Sequence, residues 1–146
     1  MRLKSDEWDY VVLQAQSQEP SFPLFQVESE TFPYATQLCD SIRANSSCTR
    51  PMFYMTWGRE NGDANNCAVW PPVCTYEGMD SLLNLRYRIM GDMNNSYVSP
   101  VGFVWNYIRN NYPQINLKVQ VDSTRFIAKN VVNRDIDIAV VGGDVP

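Results

Sequence analysis

Histidine is absent from all 146 residues of the chain. Ser-His-Asp and Cys-His catalysis both use an imidazole that titrates near neutral pH, so neither can be assembled from these residues. The same absence rules out a mixed Cys/His zinc set, and the four cysteines, at 39, 48, 67 and 74, form no CxxC pair. Positive charge is scarce as well: 12 Lys and Arg stand against 16 Asp and Glu, for a net charge of −4 and a pI of about 4.7. Without a basic stripe there is no electrostatic footprint for nucleic acid, and the expectation is that nucleic acid is not a partner. No apolar run approaches the roughly 20 residues of a membrane span, so no membrane partner is expected. The opening "MRLKSDEWDY" has no apolar core of a signal peptide.

What is present reads as a globular chain. Hydrophobic residues make up 45%, enough for a real core in one domain and too many for a disordered segment. The β-branched run "DYVVLQ" and the apolar "PMFYMTW" have the character of buried parallel strands, and "SYVSPVG" reads as a third. "INLKVQVD" alternates and "IDIAVVGG" is a further buried run, so strands are expected at 9–14, 51–57, 97–101, 116–121 and 136–141. Between them lie helical patterns. From Phe32 to Ala44, Tyr34, Leu38 and Ile42 recur at helical spacing with Ala35 beside them. "TYEGMDSLLNLRYRIM" has Thr75 as a capping residue, Glu77 and Asp80 early, and Met79, Leu82, Leu83, Tyr87 and Met90 as an apolar face. "FVWNYIRNNYP" is a short helix that Pro113 ends. Alternating strand and helix predicts an α/β fold in three layers (α/β/α), with a mainly parallel sheet of about five strands, in a single domain over 1–146.

Cys67 and Cys74 bracket the Pro-rich "AVWPPV", and Cys39 and Cys48 flank the end of a helical segment. Each pair is near enough for a local disulfide, as would suit an exported protein. Four free thiols, some buried as small apolar groups, are the alternative.

Three phrases carry a resemblance: "WDYVVLQAQSQEPSF", "FYMTWGRENGDANNCAVWPPVCTYEGM" and "VSPVGFVWNYIRNNYPQINL". Through them, residues 8 to about 111 resemble SGNH/GDSL-type esterases and lipases, particularly exported bacterial members. The resemblance implies a flavodoxin-like sheet and ester hydrolysis by a Ser nucleophile, with a late Asp-x-x-His as base and orienter. The nucleophile segment would lie before Met1, and "KVQVDSTRF" stands where the Asp-x-x-His segment belongs. An inactive scaffold is therefore expected, with no cofactor. Gln16 and Gln18 fall where the family places an oxyanion-hole side chain, a role for a positioned N–H donor; solvated loop residues are the other reading. Gly58 and Arg59 follow the second strand, at the edge where open α/β sheets bind ligands, or form a plain turn there.

Residues 112–146, "YPQINLKVQVDSTRFIAKNVVNRDIDIAVVGGDVP", resemble the start of the effector-binding domain of LysR-type transcription regulators, of the carbon-fixation type. In that family the segment is strand, helix, strand. Ser123 and Thr124 would then cap a helix close to a small-molecule site, where a helix N-terminus favours anions. "YPQINL" suits both families, which implies a chimera with its seam at 112–117. The competing functional expectations are a module that binds a small anionic molecule near Gln16, Arg59 or Ser123, and a designed or recombinant fold with no function of its own.

Overall fold

The computed structural model describes residues 8–16 and 18–113. The chain divides after Asn111, and the unit described below ends there. Its elements run β1 (Tyr10–Leu13), α1 (Leu24–Glu30), α2 (Phe32–Asn45), β2 (Arg50–Tyr54), α3 (Tyr76–Met93), β3 (Tyr97–Ser99) and α4 (Val101–Asn111). The described fold is mixed α/β, with a three-stranded parallel sheet in the order β1-β2-β3 and four α-helices. Tyr10 pairs with Arg50 and Leu13 with Phe53, while Met52 pairs with Tyr97 and Tyr54 with Ser99. The expected strands at 116–121 and 136–141 lie outside the described residues.

Two strands stop earlier than their apolar runs. β2 ends at Tyr54, although Met55 N–H still donates to Ser99 O at 3.1 Å. β3 ends at Ser99, because Pro100 offers no N–H to a ladder and its carbonyl instead accepts from Val104 in the first turn of α4. Nor are the strands buried on both faces. Leu13, Phe53 and Val98 pack into the core, while Tyr10, Val12 and Tyr97 are exposed among the described residues.

The core gathers α2, α3 and the inner sheet face: Phe32, Ala35, Cys39, Phe53, Met79, Leu83, Tyr87 and Met90. α2 turns inward Ala35 and Ile42, as its sequence suggests, but pairs them with Phe32 and Cys39 in place of Tyr34 and Leu38. Phe32, Ala35, Cys39 and Ile42 are buried, whereas Tyr34 is 60% exposed. Both stripes have helical spacing; a small thiol can sit against the sheet where the longer Leu38 is left half-buried. α3 begins as its sequence indicates, with Thr75 Oγ1 accepting from Gly78 N–H at 3.1 Å. α1 was not legible: the stretch buries only Val27.

Cys67 and Cys74 are joined by a disulfide, with Cα atoms 4.7 Å apart. Cys39 and Cys48 are free. Here the expected pairing fails for a geometric reason: Cys39 faces the core from α2, with Sγ 3.7 Å from Ser96 Oγ, while Cys48 is exposed in the loop beyond the helix. Burial raises the Cys39 thiol pKa above its ordinary value, against the lowering effect of Ser96 and Arg43.

Candidate functional site

The three strands are parallel, so the loops leaving their carboxyl ends share one edge of the sheet. The residues after β2 are held there by α3. Gly58 N–H donates to Asp80 Oδ1 at 3.2 Å, and Arg59 N–H to Met79 Sδ at 3.2 Å. Gly58 is required by this approach, since a Cβ would lie 2.6 Å from Tyr76 O. The loop then folds on Asp63, whose backbone N–H donates to Val73 O at 2.7 Å. The Asp63 carboxylate accepts from Asn65 N–H and Asn66 Nδ2. The Asn66 amide in particular holds its pKa below the usual carboxylate value, against its burial and with help from Arg59. Gly62 turns the chain at φ +68°, a left-handed conformation natural to glycine.

The first turns of α3 carry a second group of polar side chains. Tyr76 and Asp80 are both buried. The Arg109 guanidinium from α4 lies 3.8 Å from the centre of the Tyr76 ring and 3.8 Å from Glu77 Oε1. Among the described residues Tyr76 Oη is buried with no partner in hydrogen-bonding geometry. Burial, and after it the charge of Asp80, pushes its pKa up to about 12, with Arg109 opposing. Burial also raises Asp80, opposed by the Gly58 N–H, Tyr76 and Arg109. Trp57 and Trp105 stack beside this group, their centroids 5.4 Å apart.

The raised Asp80 fixes a sign. The folded protein holds that proton more tightly than the unfolded chain does, so its stabilising effect is complete below the ordinary carboxylate range. It is lost as pH rises through the raised value. Asp80→Asn keeps an oxygen for Gly58 N–H, removes the buried charge and offers a donor to Tyr76 Oη. It is expected to be more stable than wild type by about 1 kcal/mol at pH 7. That advantage shrinks on acidification, and urea titrations at neutral and acidic pH measure it. A less stable Asn variant at pH 7 would show that the charge itself is needed.

The glutamines do not form one site. Gln16 lines a cleft of about 200 Å³ at the carboxyl end of β1, together with Leu13, Glu30, Thr31 and Tyr34. Gln18 is not part of that lining; its Oε1 is buried without a hydrogen-bond partner among the described residues, and its carbonyl accepts from Ser21. Arg59 Nη1 lies 3.7 Å from Asp63 Oδ1, with its side chain about half exposed. Ser123 and Thr124 lie outside the described residues. Sequence reasoning missed the Tyr76–Asp80–Arg109 group. The spacing of Tyr76 and Asp80 was available to it, but nothing in sequence links them to Arg109. Among the described residues no group of three or more His, Cys, Asp or Glu is placed to hold a metal, and no described helix is long and apolar enough to cross a membrane.

No family model matches the chain, and no solved structure matches it. Over 36 residues it is 75% identical to a probable RuBisCO transcriptional regulator of Phaeodactylum tricornutum, covering 25% of this chain and 12% of that protein. The protein of the same name in Chlorokybus atmophyticus is 58% identical over 76 residues, 49% of this chain and 24% of that protein. The one in Porphyra purpurea is 34% identical over 74 residues, covering 49% and 23%. The chain thus spans between about an eighth and a quarter of the length of these relatives.

These relatives correct the sequence-based reading. They share the name of a transcription regulator, which overturns the assignment to SGNH/GDSL hydrolases and the description of the chain as a hydrolase scaffold. A match covering 49% of the chain is too long to fit within residues 112–146, so it takes in residues before Tyr112 that had been given to the hydrolase resemblance. The small-anion module gains no support from these relatives either. The regulator name also stands against excluding nucleic acid as a partner. The acidic balance is a property of these 146 residues, of which the matching parts cover an eighth to a quarter of each relative.

Proposed function

We propose that the chain is part of a transcription regulator of the kind its relatives are named for, one acting on RuBisCO genes, with nucleic acid as the partner of the whole regulator. The observation that carries this reading is the 75% identity over 36 residues. The longer match, which takes in residues before Tyr112, supports extending it into the described unit. The LysR resemblance of residues 112–146 agrees with it. The finer fold belongs to the same proposal: a three-layer domain over 1–146 with about five strands, of which 116–121 and 136–141 would be two.

The test is a segment exchange. The 36 matching residues of the Phaeodactylum tricornutum regulator are replaced by those of this chain, and transcription from a promoter that regulator controls is measured. Retained control is expected. A hybrid that accumulates normally and still binds promoter DNA, yet no longer regulates, would refute the reading.

A further inference from the structure

A cleft of about 350 Å³ is lined by residues of α1, α2 and α3. Its walls are mostly apolar, with Leu24, Phe32, Ile89 and Met93 among them. Glu28 from α1 and Arg86 from α3 are its charged members. Arg86, Ile89 and Met93 follow one another at helical spacing, so one face of α3 supplies both the charge and the apolar wall. Arg86 is only 8% exposed, and its Nε is buried without a hydrogen-bond partner among the described residues. No ion pair among those residues includes Arg86, and Glu28 in the same cleft does not reach it. A guanidinium buried without a carboxylate is costly, and an apolar side chain of similar length would stabilise the fold better. Its presence is explained by a ligand that supplies the carboxylate.

The rest of the cleft narrows the class of that ligand. A simple anion that met Arg86 would also meet the like charge of Glu28, and a simple cation would have the reverse difficulty. A molecule with both charges satisfies both side chains. The volume stands near the small end of the range for ligand sites, roughly 300–1,000 Å³, which suits a small metabolite better than a nucleotide cofactor. We infer that this cleft binds a free amino acid with an apolar side chain. Its carboxylate accepts from the Arg86 guanidinium, a planar donor matched to that group. Its ammonium donates to Glu28, and its side chain is covered by Phe32, Ile89 and Met93. The apolar walls strengthen both charged contacts by keeping water from them. This inference does not rest on the regulator reading.

Calorimetric titration of the full chain with L-leucine and L-phenylalanine, beside melting curves with each, tests it. Saturable binding of at least one is expected, with a Kd of roughly 10 µM to 1 mM and a matching rise in melting temperature. Two analogues of leucine each lack one charge: 4-methylpentanoate has no ammonium and 3-methylbutylamine no carboxylate. Each should bind at least about 10-fold more weakly than leucine. Glu28→Gln, at an exposed position, should weaken leucine by about 10-fold and tighten 4-methylpentanoate, because it removes an attraction for one and a repulsion for the other. Loss of fold cannot move the two in opposite directions. Arg86→Met should abolish binding of both without lowering the melting temperature; where that variant does not fold, Glu28→Gln carries the test. Neither heat nor a melting shift with either amino acid, a wild-type chain that binds 4-methylpentanoate as tightly as leucine, or a Glu28→Gln variant that weakens both ligands alike overturns the inference.

Discussion

Leu83→Ala is expected to cost about 3–5 kcal/mol. Leu83 is fully buried and belongs to the cluster that joins α2, α3 and the inner face of the sheet. Removing its branched end forfeits the transfer free energy of the lost carbons. It also leaves a cavity that the surrounding Phe53, Met79, Tyr87 and Met90 cannot fill without leaving their rotamers. Since small domains have only about 5–15 kcal/mol in all, this variant stands near the limit of folding. Leu85→Ala, two residues on and 49% exposed, is the control and should change stability by less than about 0.5 kcal/mol. Urea denaturation measures both. Equal effects at the two positions would mean that α3 does not present this face to the core.

Gly102→Ala should destabilise by about 3 kcal/mol, opposite in sign to the usual gain for such a change inside a helix. α4 is anchored to the end of β2 by Gly102 N–H donating to Met55 O at 3.0 Å. At that approach a Cβ on residue 102 would lie 2.1 Å from Thr56 O. The obstacle is backbone, so relief requires α4 to move away and give up its hydrogen bond. Because Arg109 projects from the same helix onto Tyr76, the displacement should also change the surroundings of Trp105 and Trp57, which tryptophan fluorescence reports. An alanine variant as stable as wild type would show that α4 does not come this close.

Legibility in the sequence followed the strength of local signals. α3 has a cap, early acids and a long apolar stripe, and it was readable almost residue by residue. In α2 two stripes compete, and only the sheet decides between Tyr34 and Cys39. α1 is a short helix whose Phe25 is exposed, so periodicity had nothing to register. The apolar run 51–57 reads as one strand because Met55 and Thr56 are buried too, although β2 ends at Tyr54 and only Met55 N–H reaches on to Ser99. The Tyr76–Asp80–Arg109 group depends on α4 returning to the start of α3, a matter of packing that no local pattern encodes. The hydrolase reading rested on phrases of local sequence alone, and the regulator name shared by the relatives overturns it.

The ring closed by Cys67 and Cys74 changes what a protease could do here. Val69, inside the ring, is 86% exposed, and exposed loop tips are where peptide bonds are most readily cut. A single cut there would open the chain without separating it. The two pieces would stay tied through sulfur, and Asp63 N–H could keep its bond to Val73 O across the break. Only a thiol reductant would release them, so a nicked molecule would run as one species until reduced and as two fragments afterwards.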